Sequence, residues 1–147
     1  ISRARIMEPV LAYRQHQYGL SLEQARDQRA ESELGRLLLG KRISESMYTA
    51  GVEYRERHDT ARMYLESPDS LVRGNPGAGR YGEPSEDWIA SAVAAVDRWE
   101  AIKGWALRVG TESVLGRLIL EDKACSAWQI MRVRRGLRYI AERLGAN

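Results

Sequence analysis

Ser126-Ala127-Trp128-Gln129-Ile130-Met131-Arg132-Val133-Arg134-Arg135-Gly136-Leu137-Arg138-Tyr139-Ile140-Ala141-Glu142-Arg143-Leu144 carries the strongest helical signal in the chain. Ile130, Val133, Leu137, Ile140 and Leu144 recur at 3,4,3,4 spacing, which winds into one apolar stripe on an α-helix. Arg132, Arg135 and Arg138 fall off that stripe, with Trp128, Gln129 and Tyr139 close to them. Ser126 is a good N-cap, and Gln129 three residues on completes a capping-box pattern. Just upstream, Val114 to Leu120 belongs to a helix predicted over 112–121, and residues 122–125 make the turn between the two. A helix that buries one side and shows guanidinium groups on the other, fed by a short turn, is how a helix-turn-helix presents its reading helix. The plainer alternative is a bundle helix whose arginines are only solvated.

Moving towards the N-terminus, Ser85-Glu86-Asp87 opens a further helix with a cap and two carboxylates where the helix dipole favours them. Trp88, Ala92, Ala95, Trp99, Ile102, Ala106 and Val109 repeat at 4,3,4,3,4,3, and Ile89, Val93 and Val96 widen the stripe. Burying Trp88 and Trp99 is worth roughly 1.5–3 kcal/mol each or more, so this long apolar helix is expected at the centre. Residues 73–84 hold four Gly and two Pro, the clearest linker in the chain. They lack a Gly-Lys-Ser/Thr ending and a preceding β-run, so a phosphate-binding loop is excluded there.

In the first half, Ser44 caps a helix predicted over 45–66, with Met47, Gly51, Tyr54, His58, Ala61 and Leu65 at 4,3,4,3,4 spacing. Glu53, Arg55, Glu56, Arg57, Asp59 and Arg62 cover its other sides with alternating charge, the mark of a salt-bridged solvent face. Ser32 caps a shorter helix carrying Leu34, Leu37 and Leu38, which Gly40 stops as a residue tolerant of positive φ. Ser21 to Gln24 signals the start of a polar helix over 22–30, and Pro9 precedes a short one over 10–18. No strand-like alternation of useful length appears. The fold class is therefore all-α: two helix-turn-helix-like units, 1–72 and 85–147, joined by the Gly/Pro-rich linker 73–84.

The 147 residues are 44% hydrophobic and 29% charged, which places the chain among globular rather than disordered proteins. The net charge is only +3, but residues 127–147 hold five Arg against one Glu. Local clustering is what matters for a polyanion, because counterion release scales with the phosphates contacted. Cys125 is the single cysteine, so no internal disulfide and no thiolate metal cage can form. That usage suits a reducing cytoplasm. No apolar run approaches the roughly 20 residues of a membrane span, and no secretory signal is visible. The chain starts at Ile1 rather than Met, which implies a missing beginning.

No catalytic constellation emerges, and the chain is not expected to be an enzyme. Glu121 and Asp122 are adjacent, and adjacent helix residues do not face one another. Cys125 has neither His near it in sequence. His58 lies on an apolar stripe, where a lone His is expected as a packed core residue, and no ligand cluster supports a metal. No cofactor is expected.

The sequence also echoes itself. Leu34-Gly35-Arg36-Leu37-Leu38-Leu39 recurs as Leu115-Gly116-Arg117-Leu118-Ile119-Leu120, each followed by a capping Ser, Ser44 or Ser126. The next helices carry Gly51-Val52-Glu53-Tyr54 and Gly136-Leu137-Arg138-Tyr139, with gaps in the alignment. Two similar helical pairs are expected, the second being the more basic.

Glu31-Ser32-Glu33-Leu34, Ile43-Ser44 and Ala50-Gly51-Val52-Glu53-Tyr54-Arg55, with Leu137 to Gly145 near the end, resemble segments of an alphaproteobacterial family. That family includes the transcriptional activator of gene transfer agents and related prophage regulators. The resemblance covers about residues 31–147. The family has an extra turn with Gly-Trp-Pro between its last two helices, where this chain has only Asp122 to Cys125. The resemblance implies a phage-type DNA-binding regulator acting near promoters or on RNA polymerase.

On this reading Arg132, Arg135 and Arg138 contact phosphates or guanine edges, Gln129 reads adenine, and Lys123 and Arg134 contact the backbone, with Trp128 beside them. The expected partner is double-stranded DNA, with RNA polymerase, another transcription factor and further copies of the chain as additional candidates, and no membrane. Two other classes compete. A small terminase-like packaging component would also be helical and bind DNA, but as a ring. A protein-interaction module would use Trp105 and Trp128 as anchors.

Overall fold

The computed structural model describes residues 12–13, 20–21, 23–24, 27–66 and 84–145. The described residues are all-α, with no strand among them. Five helices follow in order: α1 (Glu33–Leu39), α2 (Glu45–Leu65), α3 (Glu86–Arg108), α4 (Glu112–Leu115) and α5 (Ile130–Gly145). Short 3-10 turns precede α1 (Gln28–Glu31) and α5 (Ala127–Gln129). Most of the helix expected over 10–18, and all of the 73–84 stretch except Pro84, lie outside the described residues.

The caps read from the sequence hold in detail. Ser32 Oγ accepts the Gly35 N–H at 2.9 Å, Ser44 Oγ accepts the Met47 N–H at 3.3 Å, and Ser85 Oγ accepts the Trp88 N–H at 3.1 Å. Each satisfies a first-turn donor that the helix itself leaves unpaired. Ser21 and Gln24 form a reciprocal pair, at 3.0 and 3.2 Å. The polar helix expected over 22–30 does not run through, however. Asp27 takes an extended backbone and starts a separate 3-10 turn, its carboxylate accepting the Arg29 N–H at 2.9 Å and pairing with the Arg29 guanidinium at 2.7 Å. A short Asx side chain that bonds the backbone two residues on competes with the helix, and here it wins.

The stop after α1 also differs. Gly40 keeps φ −80°, and the left-handed residue is Lys41 at φ 59°. Arg42 N–H donates to Leu37 O at 2.8 Å and Lys41 N–H to Leu38 O at 3.0 Å. These are the two bonds of a Schellman motif, set one residue later than the glycine.

One buried cluster draws on both sides of the 73–84 stretch. Leu34, Ile43, Met47, Ala50 and Tyr54 meet Ile102, Ala106, Val114, Leu115, Leu118, Ile119, Val133, Leu137 and Ile140. The central element is α2, which packs against α1, α3, α5 and the turn after α4. This corrects the expectation of a central α3. Only Ile102 and Ala106 of α3 are buried, while Ile89 and Val93 stand out in solvent. Apolar content overstated the role of α3, because Ile89 and Val93 stay in solvent rather than joining the buried cluster. In α2 the expected stripe is buried at Met47, Gly51, Tyr54 and Ala61, but Leu65 is 65% exposed at the helix end. Its charged side carries the expected i,i+4 pairs: Arg57 with Glu53 at 2.8 Å, Arg55 with Asp59 at 3.6 Å, and Arg62 with Glu66 at 2.5 Å.

The helix expected over 112–121 is α only as far as Leu115, then widens into a π-turn over Gly116–Leu120. Val114, Leu115, Leu118 and Ile119 are all buried. Two adjacent pairs facing inward suit the wider winding. The sequence echo is mirrored in packing. Lys41, seven residues after Leu34, and Asp122, seven after Leu115, are the two non-glycine residues with positive φ among those described. A Cβ on Gly51 would lie 2.6 Å from Leu34 Cδ2, and one on Gly136 would lie 3.1 Å from Leu115 Cδ1. Corresponding leucines thus press on corresponding glycines in the two halves. The gap in the alignment falls at the extra 3-10 turn Ala127–Gln129.

Candidate nucleic-acid interface

The period that buries one side of α5 builds the other. Ile130, Val133, Gly136, Leu137 and Ile140 are buried, and Leu144 is partly buried. Trp128, Met131, Arg135, Arg138 and Glu142 follow at 3,4,3,4 on the opposite side, and all five are exposed. Arg132 and Arg134 flank this row and are exposed too. Among the described residues, no carboxylate lies within ion-pair distance of Arg132, Arg134, Arg135 or Arg138.

The contrast with α2 is sharp. Aligning Gly51 with Gly136 puts Met47, Thr49, Ala50 and Glu53 where α5 has Arg132, Arg134, Arg135 and Arg138. Met47 and Ala50 are buried, and Glu53 is held by Arg57 and Arg98. The first helical pair therefore carries no cation at these positions.

The residues singled out in the sequence divide into three groups. Arg132, Arg134 and Arg138 are exposed on α5, as expected. Arg135 is partly committed: its Nη2 donates to the Val109 carbonyl at the end of α3, at 3.0 Å. Gln129 and Lys123 have local partners. Gln129 Oε1 accepts the Ser126 N–H at 2.9 Å, completing its half of the capping box. A bidentate adenine contact needs both the oxygen and the amide N–H of Gln129, and here the oxygen already serves the helix start. Lys123 Nζ lies 3.3 Å from Glu121 Oε1.

Two side chains near the row behave differently from a simple basic-helix picture. Arg143 packs over Trp105 at 6.0 Å and over Tyr139 at 5.9 Å, and Arg57 approaches Trp105 at 5.8 Å. Those guanidiniums join α2, α3 and α5 through one indole. Met131, 78% exposed, was not singled out by the sequence reading. Its signal was present: it sits three residues after Trp128, on the side of the helix away from Ile130 and Val133.

The loop ahead of α5 is tied to the first half of the chain. Asp122 Oδ1 accepts the Glu33 N–H at 2.8 Å. Glu33 is the first residue of α1, so Asp122 satisfies an orphan donor there while its own backbone sits at φ 54°. This bond fixes where the 121–126 segment leaves the core and hence where α5 begins.

Elsewhere the chemistry is structural. Burial pushes the Cys125 thiol above its ordinary value, away from the thiolate a nucleophile needs. His58 packs edge-on against Trp99, ring centroids 5.0 Å apart, with Nδ1 3.0 Å from Asp59 Oδ1. A groove of about 380 Å³ between α2 and α3 is lined by Glu53, Arg57, Tyr64 and Arg98 among others, and its main charges pair with one another. Among the described residues, no helix is long and apolar enough to cross a membrane. Comparisons with protein families, curated proteins and solved structures find no match.

Proposed function

We propose that this chain is a DNA-binding transcription regulator, an activator or antiterminator of the phage or gene-transfer-agent type that its motifs resemble. The observation that carries the reading is the exposed side of α5, where Arg132, Arg134, Arg135 and Arg138 stand without carboxylate partners among the described residues. Unneutralised guanidiniums on one helix attract a polyanion, and their fork geometry suits phosphate oxygens and guanine edges. Arg132, Arg134 and Arg138 supply phosphate or base contacts. Arg135 both braces the end of α3 and faces outward.

Titration of a duplex by mobility shift at rising salt tests the reading. Three to four phosphate contacts give a slope of log K against log salt of roughly −3. Arg134→Ala is expected to flatten that slope by about one contact, with little sequence dependence. A slope near zero would remove the proposal.

The exposure of Trp128 favours a second reading, in which this side of α5 anchors a protein partner such as RNA polymerase. Under it Arg132→Glu leaves function intact and Trp128→Ala abolishes it.

A further inference from the structure

Trp128 and Met131 are 70% and 78% exposed, the two most exposed large apolar side chains among the described residues. They are three residues apart and so neighbours on the helical surface, at the start of the exposed row. The capping interaction between Ser126 and Gln129 holds the turn that carries Trp128. Arg132 follows Trp128 by four residues and Arg135 follows Met131 by four, so cations adjoin the apolar pair on the same helix. Neither residue belongs to the buried cluster or to the partly buried shell around it.

A solvent-facing indole and thioether set among unpaired arginines fit a surface that is anionic at its edges and apolar in patches. The major groove of DNA is such a surface. Its rims are phosphates, and its floor offers a single apolar feature, the 5-methyl group of thymine, which apolar side chains recognise by contact. The first residues of a reading helix are those that reach base edges. We infer that Trp128 and Met131 are specificity-determining residues that contact thymine methyl groups, while the arginines beside them hold phosphates. The inference rests on the DNA-binding reading and names what its apolar contacts select.

The test compares wild-type binding to alternating poly(dA-dT) duplex with binding to alternating poly(dA-dU) duplex, which differ only in the 5-methyl group. Wild type is expected to bind the thymine duplex more tightly by about fourfold for each methyl buried. Met131→Ala and Trp128→Ala should each reduce that preference while leaving the salt slope unchanged. Both side chains lie outside the core, so their removal leaves folding intact, which far-UV circular dichroism checks. Equal affinity for the two duplexes, with salt-dependent binding retained, overturns the methyl assignment and leaves the DNA-binding reading standing. Absence of binding to either duplex at low salt overturns both.

Discussion

A methyl group added at Gly136 would lie 2.8 Å from Thr111 Cβ and nearer still to the Thr111 hydroxyl. Thr111 cannot easily give way. It is fully buried, and its Oγ1 donates to the Ala106 carbonyl at 3.1 Å. Gly136→Ala is therefore expected to cost about 1–3 kcal/mol by overpacking the contact between α5 and the start of α4. Gly104 is the control. It lies inside α3 with nothing within 4 Å of a built Cβ, so Gly104→Ala is expected to stabilise by about 0.5–1 kcal/mol. Urea unfolding measures both. Equal shifts would mean that the close approach at Gly136 is absent in solution. The sequence marked Gly136 as one member of an echo, but only its neighbours reveal which side of it must stay bare.

At the scale of elements, the exit of the chain from the π-turn into α5 depends on Asp122. Its bond to the Glu33 N–H joins two segments 89 residues apart. Asp122→Ala removes the acceptor and leaves a left-handed backbone without a favoured residue, with an expected loss of about 0.5–1.5 kcal/mol. Asp122→Asn keeps an acceptor oxygen and tolerance of positive φ, so it should restore most of that stability. Thermal melts of the two variants decide the point, and equal melting temperatures would assign the bond no role. In the sequence Asp122 is a turn residue and a neighbour of Glu121, with nothing that ties it to Glu33. A hydrogen bond between distant segments has no period and no spacing, so no pattern in the chain announces it. The starts of α1, α2 and α3 were legible, by contrast, because each cap is a contact within three residues.

At the scale of the molecule, residues on both sides of the 73–84 stretch build one buried cluster. Unfolding is expected to be a single cooperative step. All four tryptophans lie at or after residue 88, so their fluorescence reports on the second half, while far-UV circular dichroism reports on both. Coincident denaturation curves from the two probes are the expected result. Separated curves would mean two independently folding units. The arrangement also bears on the candidate site. With α2 packed against α3 and α5, the first helical pair is committed to the core, while Arg132, Arg134 and Arg138 stand exposed on α5. The arginine face itself was legible beforehand, because the 3,4 spacing of Ile130, Val133, Leu137 and Ile140 leaves Arg132, Arg135 and Arg138 nowhere to point but outward.

The helical class, most of the helix starts and the two sides of α5 follow from local pattern, since each is set by periodicity or by a cap within one turn of helix. Only the packing of distant segments decided that α2 rather than α3 lies at the centre, that Arg135 is partly committed to the end of α3, and that Asp122 anchors the loop before α5. The difference is one of range. Periodicity tells which side of a helix is apolar, but the partner that covers that side, and the side chains used up in holding it there, come from chain segments tens of residues away.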